Sequence, residues 1–231
     1  MNVLMFSQPV RVEIISDTHG LHSQVKVSPC DILICCGDHL NFVTTDEIHT
    51  FYTWLSKQPA KYIIQVLGNH EEDIRKHKLW PTIAQIVPNI ILLDNDVATI
   101  EGITFYGIGS GVLSLLEMQS QSKLKGKIDV VISHDPPYKI LDQSDPFPNS
   151  PQEPPQGSKL LFNEVKRIKA KMHCFGHIHN CYRYVEKYGR LYVNAAMKIN
   201  PPQSKRGQKE FSQTTPFSFT YRDSTFTPCT L

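Results

Sequence analysis

Apolar runs of strand length alternate along the chain with polar turns and amphipathic stretches. Val10 to Ile15, Ile32 to Cys36, Tyr62 to Leu67, Ile128 to Ile132 and Met172 to Phe175 read as buried strands, and each runs directly into a turn bearing histidine or aspartate. Between the second and third, Thr44 and Glu47 have the spacing of a capping box, and Ile48, Phe51, Tyr52 and Leu55 follow on one helical face. A second helix is predicted from Ser158, with Leu161, Val165 and Ile168 inward and Lys166, Arg167 and Lys169 on a solvated outer face. Nearer the C-terminus, Tyr182 to Glu186, Leu191 to Ala195 and Phe217 to Tyr221 look like antiparallel strands, the first two joined by a turn at Tyr188-Gly189-Arg190. This rhythm predicts an α/β fold with two sheets, and open α/β sheets bind ligands in the loops at the C-terminal ends of their strands.

Seven prolines fall between Pro136 and Pro155 with almost no periodicity. A connection that long is rarely idle in a compact domain. Residues 135–157 are therefore expected to form a surface loop over whatever site the preceding strand supports.

With 231 residues the chain removes roughly 70% of its unfolded surface from water and needs no disulfide or partner to fold. One domain, 1–231, is expected, with its core at about 10–222. No apolar run approaches the roughly 18 residues of a spanning helix, and the start of the chain has no basic region of the kind that opens a signal peptide, so membrane insertion and secretion are not expected and a cytoplasmic location is. The balance of 24 basic and 22 acidic residues leaves a charge of +2, too little to draw the protein onto nucleic acid, so any phosphate chemistry must come from a local site. The cysteines at 30, 35, 36, 174, 181 and 229 do not have the spacing of a disulfide scaffold; reduced thiols are expected, with Cys35 and Cys36 packed in the core.

Five fragments carry chemistry: Asp17-Thr18-His19, Gly37-Asp38, Gly68-Asn69-His70-Glu71, His134, and Gly176-His177-Ile178-His179. Each alone has an ordinary reading; Gly68-Asn69-His70-Glu71, for example, could be a turn running into a helix cap. Together, all following predicted strands, they form a donor set. In a strand-like path residues i and i+2 point the same way, so Asp17 with His19, and His177 with His179, could each present two donors to one pocket. Carboxylate oxygen with imidazole nitrogen suits first-row divalent metals. Two aspartates, one amide and four histidines besides His70 exceed the capacity of one ion, whereas two ions sharing a carboxylate would use them all. A two-metal site is standard apparatus for in-line attack on phosphorus.

These fragments, in this order, resemble the calcineurin-like metallophosphoesterase superfamily. Ser133-His134-Asp135-Pro136-Pro137, Cys174-Phe175-Gly176-His177-Ile178-His179 and Tyr192-Val193-Asn194-Ala195 further resemble its small metallophosphoesterase-domain proteins first described from brain. The resemblance spans roughly residues 10 to 222 and implies a four-layer αββα sandwich of two mixed sheets, with a dinuclear metal site at the sheet edges. It assigns Asp17, His19 and His179 to one metal and Asn69, His134 and His177 to the other, with Asp38 bridging. The resemblance further implies that His70 faces the substrate phosphate as a general acid or charge stabiliser, and that Asn69 and His70 contact substrate.

The cofactors implied are two divalent ions, Mn, Fe or Zn. The activity implied is hydrolysis of phosphoesters, with nucleotide-type phosphodiesters attacked by metal-bound hydroxide as the favoured case. A phosphomonoesterase or phosphoprotein phosphatase on the same core, or a nucleotide-binding or scaffold protein with weak turnover, are the alternatives. The expected partner is a small phosphoester, with no membrane and no strong nucleic-acid binding.

Two positions depart from the resemblance. His39 stands where an apolar residue is usual and is read as packed or hydrogen-bonded rather than as a substrate contact. Asp135 stands where glycine is common; it either orients the His134 ring or simply begins the proline-rich loop. His22, His49, His77 and His173 lie outside the motifs and are assigned core or surface roles. Lys198, Lys205, Arg206 and Lys209 form either a solvated basic loop or an attraction for anionic substrate.

Overall fold

The computed structural model describes residues 8–111, 127–143, 154–199 and 214–229. Its strands are β1 (Val10–Ile15), β2 (Cys30–Cys35), β3 (Ala60–Gln65), β4 (Ile90–Leu92), β5 (Asp96–Ile100), β6 (Ile103–Ile108), β7 (Val130–Ser133), β8 (Met172–Phe175), β9 (Arg183–Lys187), β10 (Arg190–Asn194), β11 (Phe217–Arg222) and β12 (Thr225–Pro228). The helices are α1 (Thr45–Leu55), α2 (Glu72–Lys76), α3 (Trp80–Ile86) and α4 (Lys159–Ile168). Among the described residues no helix is long and apolar enough to cross a membrane.

Two mixed sheets result, with strand orders β12-β11-β1-β2-β3-β4 and β5-β6-β7-β8-β10-β9. β1 to β4 run parallel, as do β6, β7, β8 and β10; the antiparallel strands flank them. Side-chain alternation then builds the layers. Val12 and Ile14 of β1, Ile32 and Ile34 of β2, Ile103 and Phe105 of β6, Val130 and Ile132 of β7, and Met172 and Cys174 of β8 meet in the core between the sheets. Ile15, Leu33 and Ile63 face the other way onto Phe51, Tyr52 and Leu55 of α1 and Ile83 of α3. Tyr106, Val131 and Phe175 face outward onto Leu161 and Val165 of α4. The expected order of helix, sheet, sheet, helix is thus present.

Local signals explain the helix starts. Leu161 N–H donates to Ser158 Oγ at 3.2 Å, and Glu47 N–H donates to Thr44 Oγ1 at 3.2 Å. The predicted capping box is only half formed, because the Glu47 carboxylate accepts from Phe42 N–H at 2.7 Å rather than returning to Thr44. Three hairpins close through two residues at positive φ: Glu101-Gly102, Tyr188-Gly189 and Asp223-Ser224. Phe217 to Tyr221, read as antiparallel, falls in β11 and pairs with β1 in the first sheet, whereas β9 and β10 edge the second.

The sheets approach each other at their C-terminal edges, where Ser16 bridges to Ala196 and Met197 N–H donates to the Ser16 carbonyl at 3.1 Å. The proline-rich segment leaves beside this edge, and its two ends are tied together: Ser158 N–H donates to Pro136 and Gln156 N–H to Asp142. Residues 144–153 of that loop, and Lys205, Arg206 and Lys209, lie outside the described residues.

Candidate metal centre

All five chemistry-bearing fragments leave C-terminal strand ends on this edge. After β1 the chain does not stay strand-like: Asp17 and His19 take φ of 57° and 42°, Asp38 after β2 takes 55°, and His177 after β8 takes 69°. Left-handed backbone costs a non-glycine residue about 1–2 kcal/mol, so the surroundings must impose it. They do so by cross-loop bonds: Asp17 N–H donates to Gly37 at 2.9 Å, His19 N–H to Asp38 at 3.1 Å and Gly20 N–H to His39 at 2.9 Å. The two loops grip each other like an added pair of strands.

These turns, rather than strand alternation, decide who meets whom. His177 and His179 separate into two groups. In the first, His19 Nε2 and His179 Nε2 lie 3.2 Å apart, with Asp17 Oδ1 at 3.5 Å from His179 Nε2 and 3.9 Å from His19 Nε2. In the second, His134 Nε2 lies 3.2 Å from Asp38 Oδ2, 3.0 Å from Asn69 Oδ1 and 3.2 Å from His177 Nδ1. Asp38 also groups with His19 and His70, which places it between the two sets.

Donors about 2.1 Å from one ion stand about 3.0–3.4 Å from each other in octahedral or tetrahedral shells. The closer spacings match that range. The residues therefore fit divalent cations.

The rings are aimed from behind. His134 Nδ1 donates to the Cys36 carbonyl at 2.9 Å, His179 Nδ1 to Met197 at 2.8 Å and His70 Nδ1 to Asn41 at 2.9 Å. A carbonyl only accepts, so each Nδ1 carries a hydrogen and each ring turns its Nε2 edge into the site. The Asp17 carboxylate accepts His177 N–H at 3.0 Å, and Asp38 Oδ1 accepts His70 N–H at 2.9 Å. Two glycines make room: a Cβ on Gly68 would lie 2.0 Å from Asp38 Oδ1, and one on Gly176 would lie 2.2 Å from Asp17 Oδ2.

Electrostatics point the same way. Burial disfavours the charged form of Asp38, but His134 and the His70 N–H outweigh it and hold the carboxyl well below its ordinary range. Burial likewise opposes a charged His134, yet Asp38 first, and Asp17 and Asp135 behind it, raise its pKa to about 10. Burial lowers His19 and His177. A field that retains a proton on a buried imidazole favours a dication in its place.

Glu71 is the residue whose role the sequence reading missed. It is fully buried, and its carboxylate accepts four backbone N–H groups: Gly68 at 2.9 Å and Asp38 at 3.0 Å on Oε2, His39 at 2.6 Å and Leu40 at 3.2 Å on Oε1. Burial, reinforced by Asp38, pushes its pKa up to about 7 against the pull of the Gly68 and His39 N–H groups. The bond to Gly68 is the cap that the G-N-H-E spacing suggested; the other three bonds tie the Asp38 loop to the Asn69 turn.

The remaining expectations resolve as follows. His39 is buried, stacked on Phe51 at 4.8 Å and bonded to Thr18 Oγ1 through Nδ1 at 3.2 Å. Asp135 does not bond the His134 ring; it accepts from Ser110 Oγ at 3.2 Å and Gly111 N–H at 3.3 Å. His22 and His173 are core residues, and His49 and His77 are exposed. All six cysteines are free, with Cys35 and Cys36 buried.

Comparison with known proteins came out as follows. The sequence profile of the calcineurin-like phosphoesterases matches residues 10–181. Metallophosphoesterase domain-containing protein 1 of Homo sapiens is 28% identical over 228 residues, covering 81% of this chain and 68% of that protein, and the Mus musculus protein matches equally. Among solved structures, phosphopantetheinyl hydrolase from Mycobacterium tuberculosis superposes with a TM-score of 0.62 at 15% identity, covering 87% of this chain and 93% of that one. GAP50, described as the anchor in the inner membrane complex of Plasmodium, superposes at 0.58 with 14% identity, covering 92% and 81%. At these identities the structural likeness is one of fold, and a fold shared by a hydrolase and an anchor leaves the chemistry to the side chains.

Proposed function

The chain belongs to the calcineurin-like phosphoesterase family, and from that premise we propose that it hydrolyses small nucleotide-type phosphodiesters with two divalent ions, Mn, Fe or Zn. The observation that carries the reading is the pair of donor sets meeting at Asp38. Asp17, His19 and His179 would hold one ion, Asn69, His134 and His177 the other, and Asp38 both. When bound, the ions supply Lewis acidity toward a phosphoryl oxygen and lower the pKa of water to near neutrality.

The protein's own groups do the rest. His70 is tied through Nδ1 to Asn41, so Nε2, 4.0 Å from Asp38 Oδ2, is the atom available to carry a proton toward a departing oxygen. Its ring is half-exposed and stands edge-on to His19 at 4.9 Å, at the mouth of the site beside His19 and Asp38. A cavity of about 230 Å³, bordered by Asn69, Glu72, Arg75 and Ser110, opens beside Asn69 with room for part of an ester substituent.

Preference for diesters rests on room: a diester carries a second ester substituent that a monoester lacks, and the cavity beside Asn69 can take part of it.

The test is an assay of purified protein with matched aryl diester and monoester substrates and cyclic nucleotides, with Mn, Fe, Zn or Mg supplied and bound metal measured. About two ions per chain and faster diester turnover are expected. A single ion at full activity overturns the two-ion reading, and faster monoester turnover overturns the diester preference.

A further inference from the structure

Helix α4 runs against the strands it covers, so its C-terminal end lies at the N-terminal edge of the second sheet, opposite the metal centre. There a cavity of about 500 Å³ is bordered by Phe162, Lys166, Lys169, Tyr188, Arg190 and Tyr192. No acidic residue borders it.

Arg190 is 7% exposed. Its Nε donates to the Ala170 carbonyl and its Nη1 to the Tyr192 hydroxyl at 3.0 Å, both neutral acceptors. Among the described residues it pairs with no carboxylate, although a buried charge ordinarily requires one. Lys166 and Lys169 are exposed on the same rim, neither in an ion pair among the described residues, and Lys187 Nζ stands 5.4 Å over the Tyr188 ring. The C-terminal dipole of α4 accounts for about half a negative charge; four cations exceed it severalfold. Glu186 borders an adjoining cavity together with Lys171 and Arg190, and Glu164 on α4 is paired with Arg167.

Aromatic faces supply the second half of the site. Tyr188 is 70% exposed at the hairpin tip and stands edge-on to Phe162 at 6.2 Å, with Tyr192 at the buried end. A large aromatic held open to solvent beside unmatched cations suits a planar ring bearing a strong anion. The volume lies within the usual range for small-molecule sites, about 300–1,000 Å³.

We propose that this cavity is a second ligand site, remote from the metal centre, that binds a small aromatic phosphate of the nucleoside monophosphate class, with the phosphate on Arg190, Lys166 and Lys169 and the ring against Tyr188 and Phe162. The site depends on no step of hydrolysis and stands or falls separately from the metal centre.

The test uses the full chain with Tyr188→Trp as a local reporter, its signal taken as the difference from the parent chain with Trp54 and Trp80, and adenosine 5′-monophosphate as the probe. Saturable change in the indole fluorescence is expected, with inorganic phosphate competing and adenosine alone binding much more weakly. Lys166→Glu/Lys169→Glu in the same background should weaken the probe at least about tenfold, while aryl diester hydrolysis stays unchanged. These lysines are exposed and unpaired among the described residues, so the fold is retained with a modest loss from the negative charge placed at the end of α4; Arg190 also holds Ala170 and Tyr192, so its substitution is not the primary test. Absence of a saturable change, or one that survives the double charge reversal, overturns the site. Equal binding of adenosine and its monophosphate overturns the assignment of an anion.

Discussion

Replacing Glu71 should damage the protein as severely as replacing a metal ligand, although Glu71 belongs to neither donor set. Its carboxylate satisfies four buried N–H groups on two different loops. Glu71→Ala would strand all four, and at about 1–3 kcal/mol for each unsatisfied group the sum, about 4–12 kcal/mol, approaches the whole stability of an ordinary domain, about 5–15 kcal/mol. That variant is expected not to fold. Glu71→Gln is the informative one. It keeps the shape but replaces one accepting oxygen by an NH2 group, which faces two N–H donors and can accept from neither. Losing two charge-assisted bonds at about 1.5–3 kcal/mol each predicts destabilisation of about 3–6 kcal/mol. Because Asp38 N–H is one of the four donors, the shared carboxylate should shift with its loop, so metal retention should fall in the protein that remains folded. Urea unfolding at neutral pH, with metal content measured on samples below the transition, tests both parts. A Glu71→Gln midpoint within about 0.5 kcal/mol of the parent, with full metal content, would refute the reasoning.

Asp38→Ala should lose most of both ions and nearly all activity together, since one carboxylate closes two donor sets; a fully loaded pair measured by metal analysis would sink that assignment. His70→Ala should keep the metals yet lose on the order of 10² to 10⁴ in turnover, most for poor leaving groups such as nucleosides and least for nitrophenolate; equal losses would make His70 a phosphate-positioning group, and loss of metal would make it a ligand. His173 gives the pH prediction: burial, reinforced by Arg190, lowers its pKa to about 3. A histidine that binds its proton more weakly folded than unfolded contributes stability at neutral pH that is lost as pH falls below about 6.5, with a slope of up to about 1.4 kcal/mol per unit. His173→Gln should flatten the decline in urea midpoint between pH 6.5 and 5 by up to that amount; an unchanged slope counts against it.

What the residues disclosed of the fold, and what they hid, follows from burial. β2, β3, β7 and β8 are covered on both faces and so appear as apolar runs that periodicity can find. β5 is a half-exposed edge, and β6 carries Gly107, where a Cβ would lie 2.2 Å from Leu93 Cβ, so close packing of the two sheets requires a residue that breaks the apolar signal. The hairpins at Glu101-Gly102 and Asp223-Ser224 lack the Asn-Gly or Asp-Gly pair that announces such a turn.

At the site, the residue types that could hold ions were legible because the chemistry restricts them to a few side chains, whereas their grouping in space was not. Alternation would pair His177 with His179, yet the positive φ of His177 sends the two rings into different sets; only the resemblance to the family had separated them. The backbone support was harder still. Cys36, Asn41 and Met197 act through carbonyls, which every residue possesses, so no residue type marks them. Glu71 is the intermediate case, visible as a motif letter but intelligible only once two loops are seen to end on one carboxylate. Donors aimed by carbonyls and loops stapled by Glu71 need little reordering to receive an ion, and that preorganisation keeps the strained turns at Asp17, Asp38 and His177 in place. It follows that removing the Glu71 carboxylate, the one side chain in this supporting layer, should weaken metal retention while leaving every donor residue in the sequence unchanged.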